Sequence, residues 1–302
     1  MDIDSARGSL SEPILPPDLE RLIFEFAALS YPLGIATSMQ VAWRVKDWLE
    51  PFLYRVISLT YDDSERQVAG FPLVPPDALL SAISRKPPAF FASSATHLFF
   101  PDAPHFLTNE TVATILAACS GITSLRAGCN LLPHHDALAS LGSLRRLTVN
   151  VRLLLGSYYH PQGFALSLFH NITHLELLET SISWESSDYV CEGLVLLPQL
   201  THLAFNFPGL CRPLASFLSQ HARLRAVVLL SQPGSSRVGR EAGAVLAHDD
   251  RFVSIVRKGV DPEEDWFRGA AGGNDYWFHA DAFIAAKRAG QIHDSQYTVD
   301  YS

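Results

Sequence analysis

The densest group of side chains that could bind a metal or act in catalysis is His134-His135-Asp136. Neighbouring residues on a helix project about 100° apart, whereas helical zinc sites use wider spacings, so this group is better explained as an exposed turn that opens a helix. The sequence has no Gly-x-Ser-x-Gly turn for a nucleophilic serine and no Gly-x-x-x-x-Gly-Lys-Ser/Thr phosphate loop. We therefore expect no catalytic residue, no metal site, no cofactor and no enzymatic activity.

Three further histidines recur in the same local context, in Thr96-His97, Thr173-His174 and Thr201-His202. His174 and His202 belong to neighbouring copies of this context, so their side chains should lie close together. The histidines could form part of a binding surface, or they could be ordinary half-exposed strand residues. The second interpretation is the one that the sequence favours.

These histidines lie within a phrase that occurs six times: an apolar residue, two polar or small residues, and another apolar residue. The last apolar residue of each phrase is at position 98, 125, 147, 175, 203 and 227, which gives steps of 27, 22, 28, 28 and 24 residues. A period of about 20 to 29 residues with an L-x-x-L-x-L core is typical of leucine-rich repeats. The predicted fold class is α/β, an irregular leucine-rich-repeat solenoid in which each unit is a strand, a turn and a helix.

Within each predicted strand, alternate residues should face opposite sides of the sheet. Leu175 and Leu177 are predicted to point inward, and His174 and Glu176 to point out along the concave side. The outward residues of the sixth strand, which include Val228, are apolar and need a cover, which the tail could supply. The residues predicted to bind a target protein on the concave side are His97, Arg126, Arg146, Asn150, His174, Glu176, His202 and Asn206.

The last part of the chain, 248–302, is predicted to be a terminal strand followed by a helical cap. Residues 251–256 form the strand, and the acidic run that starts at Asp261 is typical of a helix start. Asn274 could cap a final helix whose buried stripe is Trp277, Phe278, Ala280 and Ile284. Such a cap is expected because the ends of a repeat array must be covered.

The overall composition excludes several classes of partner. The net charge of −8 argues against binding of nucleic acid or an anionic membrane, and no stretch approaches the ~20 apolar residues that span a bilayer. The four cysteines form no C-x-x-C pair and are expected to be reduced core residues. These features predict a cytoplasmic and/or nuclear protein.

Before the repeats, residues 1–14 are predicted to be a flexible leader and residues 15–60 a small helical module, with the repeats occupying 61–247. A first helix capped by Asp18 should end at Tyr31-Pro32, because proline disfavours helical geometry in the residue before it. A second helix should begin near Met39 and end at Glu50-Pro51. A short strand or linker over 53–59 should follow.

The segment Leu15-Pro16-Pro17-Asp18-Leu19-Glu20-Arg21-Leu22-Ile23-Phe24 resembles the opening of an F-box. The segment that starts at Val41 is similar to the Val-Cys-Arg-x-Trp region of that family, with Ala42 in place of cysteine. The tail, with Asp265-Trp266, Gly272-Gly273 and Trp277, is similar to the end of many proteins of mushroom-forming (basidiomycete) fungi that pair an F-box-like start with degenerate leucine-rich repeats.

This resemblance implies a non-catalytic substrate receptor of a Skp–cullin–F-box ubiquitin ligase. The F-box-like module would dock on the Skp-type adaptor, and through it on a cullin, while the repeats hold an unknown target protein. The residues that the resemblance assigns to adaptor binding are Leu15, Pro16, Leu19, Ile23, Phe24, Val41, Val45 and Trp48. The alternative is a ligase-independent interaction scaffold whose front module only caps the repeats.

Overall fold

The computed structural model describes residues 15–60, 67–68, 70–102, 107–156, 160–178, 184–232, 241 and 243–302. The chain divides into two compact units, residues 1–53 and residues 54–302. The leader predicted at 1–14 lies outside the described residues.

The first unit is a small group of helices. Helix α1 spans Pro17–Ser30, a 3₁₀ turn spans Pro32–Gly34, α2 spans Ile35–Ser38 and α3 spans Trp43–Leu53. The end of α1 before Tyr31-Pro32 is as predicted, although no side chain caps its start. The four buried residues that hold the helices together are Ala28, Ile35, Val45 and Leu49.

Two predictions for this unit are wrong. The second helix does not begin near Met39, because residues 39–42 form a turn between α2 and α3. It also does not end at Glu50-Pro51, since α3 contains Pro51 and runs on to Leu53. Proline in a last turn removes only one helical hydrogen bond, which a helix held by tertiary packing tolerates.

The second unit is built on one eleven-stranded sheet with the order β11-β10-β9-β8-β7-β6-β5-β4-β1-β3-β2. All neighbouring strands pair in parallel except β2 and β3, which are antiparallel. The strands are β1 Val56–Leu59, β2 Gln67–Val68, β3 Phe71–Val74, β4 His97–Phe100, β5 Ser124–Ala127, β6 Arg146–Val149, β7 His174–Leu177, β8 His202–Phe205, β9 Ala226–Ser231, β10 Phe252–Arg257 and β11 Thr298–Tyr301.

The six repeated phrases coincide with β4 to β9, and the predicted terminal strand coincides with β10, so these strand predictions are confirmed. Strand β1 was expected within the front module. It pairs instead with β3 and β4, so it belongs to the sheet of the second unit. Strands β2, β3 and β11 were not predicted, because they are short and carry no repeat phrase.

Helices connect most of these strands. They are α4 Pro76–Arg85, α5 Pro88–Ser94, α6 Asn109–Ala118, α7 His135–Ala139, α8 Val151–Leu155, α9 Trp184–Leu194, α10 Cys211–Gln220, α11 Pro262–Ala270 and α12 Tyr276–Arg288. The connection between β6 and β7 also contains two 3₁₀ turns, Pro161–Ala165 and Ser167–Phe169. The architecture is therefore α/β, as predicted.

One side of the sheet, here called the core face, packs on helices α4 to α10. Leu125, Leu147, Leu175 and Leu203 occupy equivalent positions on this side and are at most 1% exposed, which confirms the predicted alternation. The four cysteines are buried in the same core as free thiols. Burial raises the pKa of the Cys119 thiol to about 12, so this thiol stays protonated and unreactive at neutral pH.

The opposite side, here called the covered face, packs on α11 and α12. Val228 and its apolar neighbours on β8 to β10 are buried against α12, so the prediction that the tail covers them is confirmed. Near the other end of the sheet, Phe267 of α11 packs on Phe71 and Phe99. Two details of the tail were wrong: Asp275, not Asn274, caps α12, and Phe278 is 51% exposed on the outer side of that helix.

Threonine side chains tie successive strands together at the end of the sheet where the strands begin. Four threonine hydroxyls each donate a hydrogen bond to a backbone carbonyl oxygen near the start of the neighbouring strand, at 3.0–3.2 Å. The donors are the Oγ1 atoms of Thr96, Thr123, Thr173 and Thr201. The acceptors are the carbonyl oxygens of Arg55, Thr96, Arg145 and Thr173. Each of these carbonyl oxygens also accepts two backbone N–H groups from the start of the next strand, so this threonine ladder adds a third hydrogen bond at each position.

We expect Thr123→Val to lower the free energy of unfolding by about 1 kcal/mol, because it removes one ladder hydrogen bond while the shape of the side chain is kept. Urea-induced unfolding followed by circular dichroism would measure the change. The matched control is Thr114→Val, whose exposed hydroxyl donates to the carbonyl oxygen of Glu110 in its own helix. A larger loss for the control would contradict the role of the ladder.

Candidate functional site

The first unit presents an unusually large number of exposed apolar side chains. They come mainly from α1 and from the turn that leads into α3, and their exposed fractions range from 42% to 79%. Exposed apolar surface of this extent on so small a helical unit marks a site for another molecule. The residues of this front apolar surface are Leu15, Leu19, Leu22, Ile23, Phe26, Leu29, Tyr31, Val41 and Trp43.

The structure leaves most of the predicted adaptor contacts exposed or half-buried and buries one. Leu15, Pro16, Leu19, Ile23 and Val41 are exposed, as a docking surface requires. Val45 is fully buried in the core of the unit, so the prediction that it contacts the adaptor is wrong. It lies on the side of α3 that packs in the same cluster as Ala28 of α1. The two remaining predicted contacts are half-buried against the same core, namely Phe24 and Trp48.

A polar contact links α1 to α3 in the first unit. The guanidinium of Arg44 donates two hydrogen bonds to the Glu20 carboxylate, at 2.8 and 3.0 Å. Arg21 makes a further ion pair with Glu25 one turn along α1, at 2.6 Å. Because α1 and α3 are held together by the Arg44–Glu20 pair and by the small core, the exposed side chains project from a preformed framework.

The predicted target-binding residues on the strands do come together, but beneath α11 and α12. Arg126, Glu176 and His202 are 9%, 3% and 8% exposed, so the expectation that these residues line an open face is wrong. The physical reason is that the tail covers the polar part of this face as well as its apolar part. The other strand residues of the set, His97, Arg146 and His174, are half-buried there.

The centre of the covered face is a buried polar cluster around Glu176. Its Oε2 atom accepts a hydrogen bond from Thr148 Oγ1 at 3.1 Å and lies 3.9 Å from Arg126 Nη1. Its Oε1 atom lies 3.8 Å from Arg257 Nη2, and Arg257 is 3.4 Å from Asp265 Oδ2. Glu176 is therefore the shared counter-charge of two buried guanidinium groups.

The histidines on β7 and β8 stack against each other under α12. The rings of His174 and His202 are parallel, with centroids 4.0 Å apart, and Trp277 meets both edge to face. Thr173 and Thr201 each bond the Nδ1 atom of the following histidine, and His202 Nε2 is 3.2 Å from Asp281 Oδ1. Burial, followed by the nearby His202 and Arg146, lowers the pKa of His174 to about 3.

His97 repeats this arrangement on β4. Thr96 bonds its Nδ1 atom, and Trp266 of α11 meets its ring edge to face at 6.0 Å. Burial, Arg55 and Arg146 together lower the pKa of His97 to about 4. His97 and His174 are thus neutral, half-buried packing partners of the two tail tryptophans, in line with the interpretation favoured from the sequence, whereas His202 is buried.

The remaining predicted site residues have separate roles. Arg146 Nη1 is 3.3 Å from the Asp275 carboxylate at the start of α12. The Asn150 side-chain oxygen accepts two backbone hydrogen bonds and caps α8, while Asn206 is exposed just after β8. Burial raises the pKa of both Asp265 and Asp275, although neighbouring arginines oppose the shift. The tail partners of the strand residues were missed because no sequence periodicity links positions so far apart.

The His134-His135-Asp136 group is structural. His134 is buried, and the ring of His135 bonds the carbonyl oxygen of Leu154 through Nε2 at 2.7 Å. In the part of the chain that the structure describes, no three histidine, cysteine, aspartate or glutamate side chains are arranged to hold a metal ion. Over the same residues, no helix is long and apolar enough to cross a membrane.

Comparison with known proteins adds no family to these observations. No protein-family profile matches the sequence, and neither the curated proteins nor the solved structures contain a significant match.

Proposed function

We propose that this chain is a non-catalytic substrate receptor of a Skp–cullin–F-box type ubiquitin ligase, acting in the cytoplasm or nucleus. The first unit tethers the chain to a Skp-type adaptor, and the repeat unit holds a target protein. The mechanism is proximity, because a tethered target meets the catalytic subunit at a high effective concentration.

The observation that carries this proposal is the front apolar surface. Leu19, Ile23 and Phe26 lie on successive turns of α1 and are 50–70% exposed, although each would be favoured in a protein core. Fully burying side chains of this kind stabilises a complex by about 1.5–3 kcal/mol each. Helices that project apolar side chains from a fixed framework suit a groove on a partner protein.

The repeat unit supports the second half of the proposal. Leucine-rich repeats, whose phrase coincides with β4 to β9, generally serve as binding scaffolds. Since α11 and α12 cover one face of the sheet, we assign target binding to the surfaces that remain exposed. Asn206 is the predicted target contact that stays exposed, whereas Asn150 is half-buried in its capping role.

The test is co-expression of the chain with a fungal Skp-type adaptor, followed by size-exclusion chromatography. We expect a stoichiometric complex with the unaltered chain and none with the Leu19→Glu, Ile23→Glu variant. The matched control is Leu132→Glu, Val245→Glu, which places two carboxylates on apolar residues of the second unit that are 43% and 45% exposed. This control should bind the adaptor as the unaltered chain does.

Failure of the unaltered, folded chain to bind would contradict adaptor docking. The function would then be the ligase-independent interaction scaffold, for which the exposed surfaces of the repeat unit are equally suited. Equal loss of binding in both variants would show that added negative charge, not the front apolar surface, disturbs the complex.

A further inference from the structure

Two clefts meet at the end of the sheet where β8 and β9 begin. The first has a volume of about 340 Å³, and its walls are mainly apolar. The second has a volume of about 370 Å³, and polar and basic side chains line it. Pro198, Ala222 and Arg223 line both, so the clefts adjoin each other. Each is of the size of known ligand sites, which are about 300–1,000 Å³.

The apolar half of this site is formed by the ends of α9 and α10 and the loops that follow them. Leu197, Phe217 and Leu224 form the walls, and Val195 at the rim is 49% exposed. The ring of His221 stacks on Phe217 with centroids 4.0 Å apart. This half can therefore enclose a bulky apolar side chain from another molecule.

The loop that carries His221 is held in place by Arg251, which is not part of the cleft lining. Arg251 donates hydrogen bonds to the carbonyl oxygens of His221 and Leu218, both at 2.8 Å. Arg251 is itself fixed by two hydrogen bonds to the Asp249 carboxylate, at 2.8 and 2.6 Å. The cleft is thus a preformed feature of the fold, which lowers the entropic cost of binding.

The polar half of the cleft carries positive charge. Arg223 and Arg225 line it, and neither half has an aspartate or glutamate in its lining. Acids on the adjoining loop are engaged elsewhere, Asp249 with Arg251 and Asp250 with Arg288. Among the described residues, Arg225 has no ion-pair partner. In a chain of net charge −8, this local positive charge favours an anionic ligand.

We propose that this cleft binds a peptide segment of the target protein in which a bulky apolar side chain is followed by acidic residues. The inference rests on the proposed function, because it names the surface with which the receptor binds its target and the types of target residue that bind there. The apolar side chain enters between α9 and α10, and the acidic residues pair with Arg223 and Arg225. Arginine suits this role because its planar fork can hold a carboxylate with two hydrogen bonds.

The test uses the full chain in the Leu19→Glu, Ile23→Glu background, so that the front apolar surface does not select peptides. A random peptide library displayed on phage is selected on this protein, and an enriched peptide is labelled for fluorescence anisotropy. We expect enriched peptides to carry an apolar residue followed by aspartate or glutamate. Arg225→Glu should weaken their binding about tenfold or more, as expected for a lost charge-assisted contact.

The matched control is Arg145→Glu. The backbone N–H of Arg145 donates to the Thr123 carbonyl oxygen as that of Arg225 donates to Thr201, but Arg145 does not line either cleft. The control should bind the peptide within about twofold of the background protein. Enrichment of peptides without acidic residues, no enrichment at all, or equal weakening by both variants would overturn the proposal. Adaptor binding is measured separately, so the two proposals can fail independently.

Discussion

Replacement of Glu176 by leucine is expected to lower the free energy of unfolding by about 3–5 kcal/mol, because it leaves a buried positive charge without its partner. Glu176 is 3% exposed, and its carboxylate lies between the guanidinium groups of Arg126 and Arg257. Arg257 keeps Asp265 as a second partner, whereas Arg126 has no other ion pair among the described residues. The loss should therefore come mainly from Arg126. Urea-induced unfolding of the full chain would measure it.

A double-mutant cycle distinguishes this electrostatic effect from simple loss of packing. Arg126→Met added to Glu176→Leu should recover most of the lost stability, because replacing both members of a buried pair by apolar groups is often neutral. The exposed Glu110→Leu serves as a control for the substitution itself and should change stability by less than about 1 kcal/mol. If the two single changes simply add, Glu176 and Arg126 are not coupled.

Acidification is expected to destabilise the second unit through His174, which is half-buried under α12. The pKa of His174 is about 3 in the folded chain and 6.5 for an ordinary histidine. The unfolded chain therefore binds more protons between these values, so stability is full above pH 6.5 and is lost as pH falls toward 3. Between neutral pH and about pH 4.5, His174 alone accounts for about 2 kcal/mol of this loss.

The expected measurement compares urea-induced unfolding near pH 7.5 and near pH 4.5 for the unaltered chain and His174→Gln. The variant removes the titrating group, so its stability should fall less on acidification. Asp275 opposes the effect, because burial raises its pKa and the folded chain therefore binds this proton at a higher pH than the unfolded chain does. Both proteins contain Asp275, so its contribution cancels when their pH dependences are compared. A control, His293→Gln, changes an exposed histidine and should leave the pH dependence as it is. Equal slopes for all three proteins would contradict the role of His174.

The strands were predictable from the sequence because the apolar residues of the repeated phrase are those that each strand buries on the core face. Leu175 and Leu203, for example, are separated by one period and pair directly in the sheet. Helix ends were less predictable where tertiary packing outweighs local preference. Pro51 lies inside α3 because Leu49 beside it is fully buried and holds the helix in place.

The candidate site was predictable only in part. Alternation correctly put His174, Glu176 and His202 on one face, yet it could not show what covers that face. Their partners, such as Asp281, lie more than 70 residues further along the chain, and nothing local links the positions. The front apolar surface was easier to infer, because the spacing of apolar residues along α1 puts them on one face of the helix. Ile23, one of the predicted contacts on this helix, is exposed.

The position of α11 and α12 in the chain has a consequence for synthesis. The ribosome makes the strands from β4 to β10 before the tail that covers them, so the covered face is exposed on the nascent chain. At about 5–20 residues per second, residues 258–301 take on the order of several seconds to be added. During that interval the apolar residues of β9 and β10 have no cover, and a chain that stopped before Asp261 would keep them exposed permanently. Premature termination near the C-terminus should therefore yield an aggregating product, although every predicted repeat would be present.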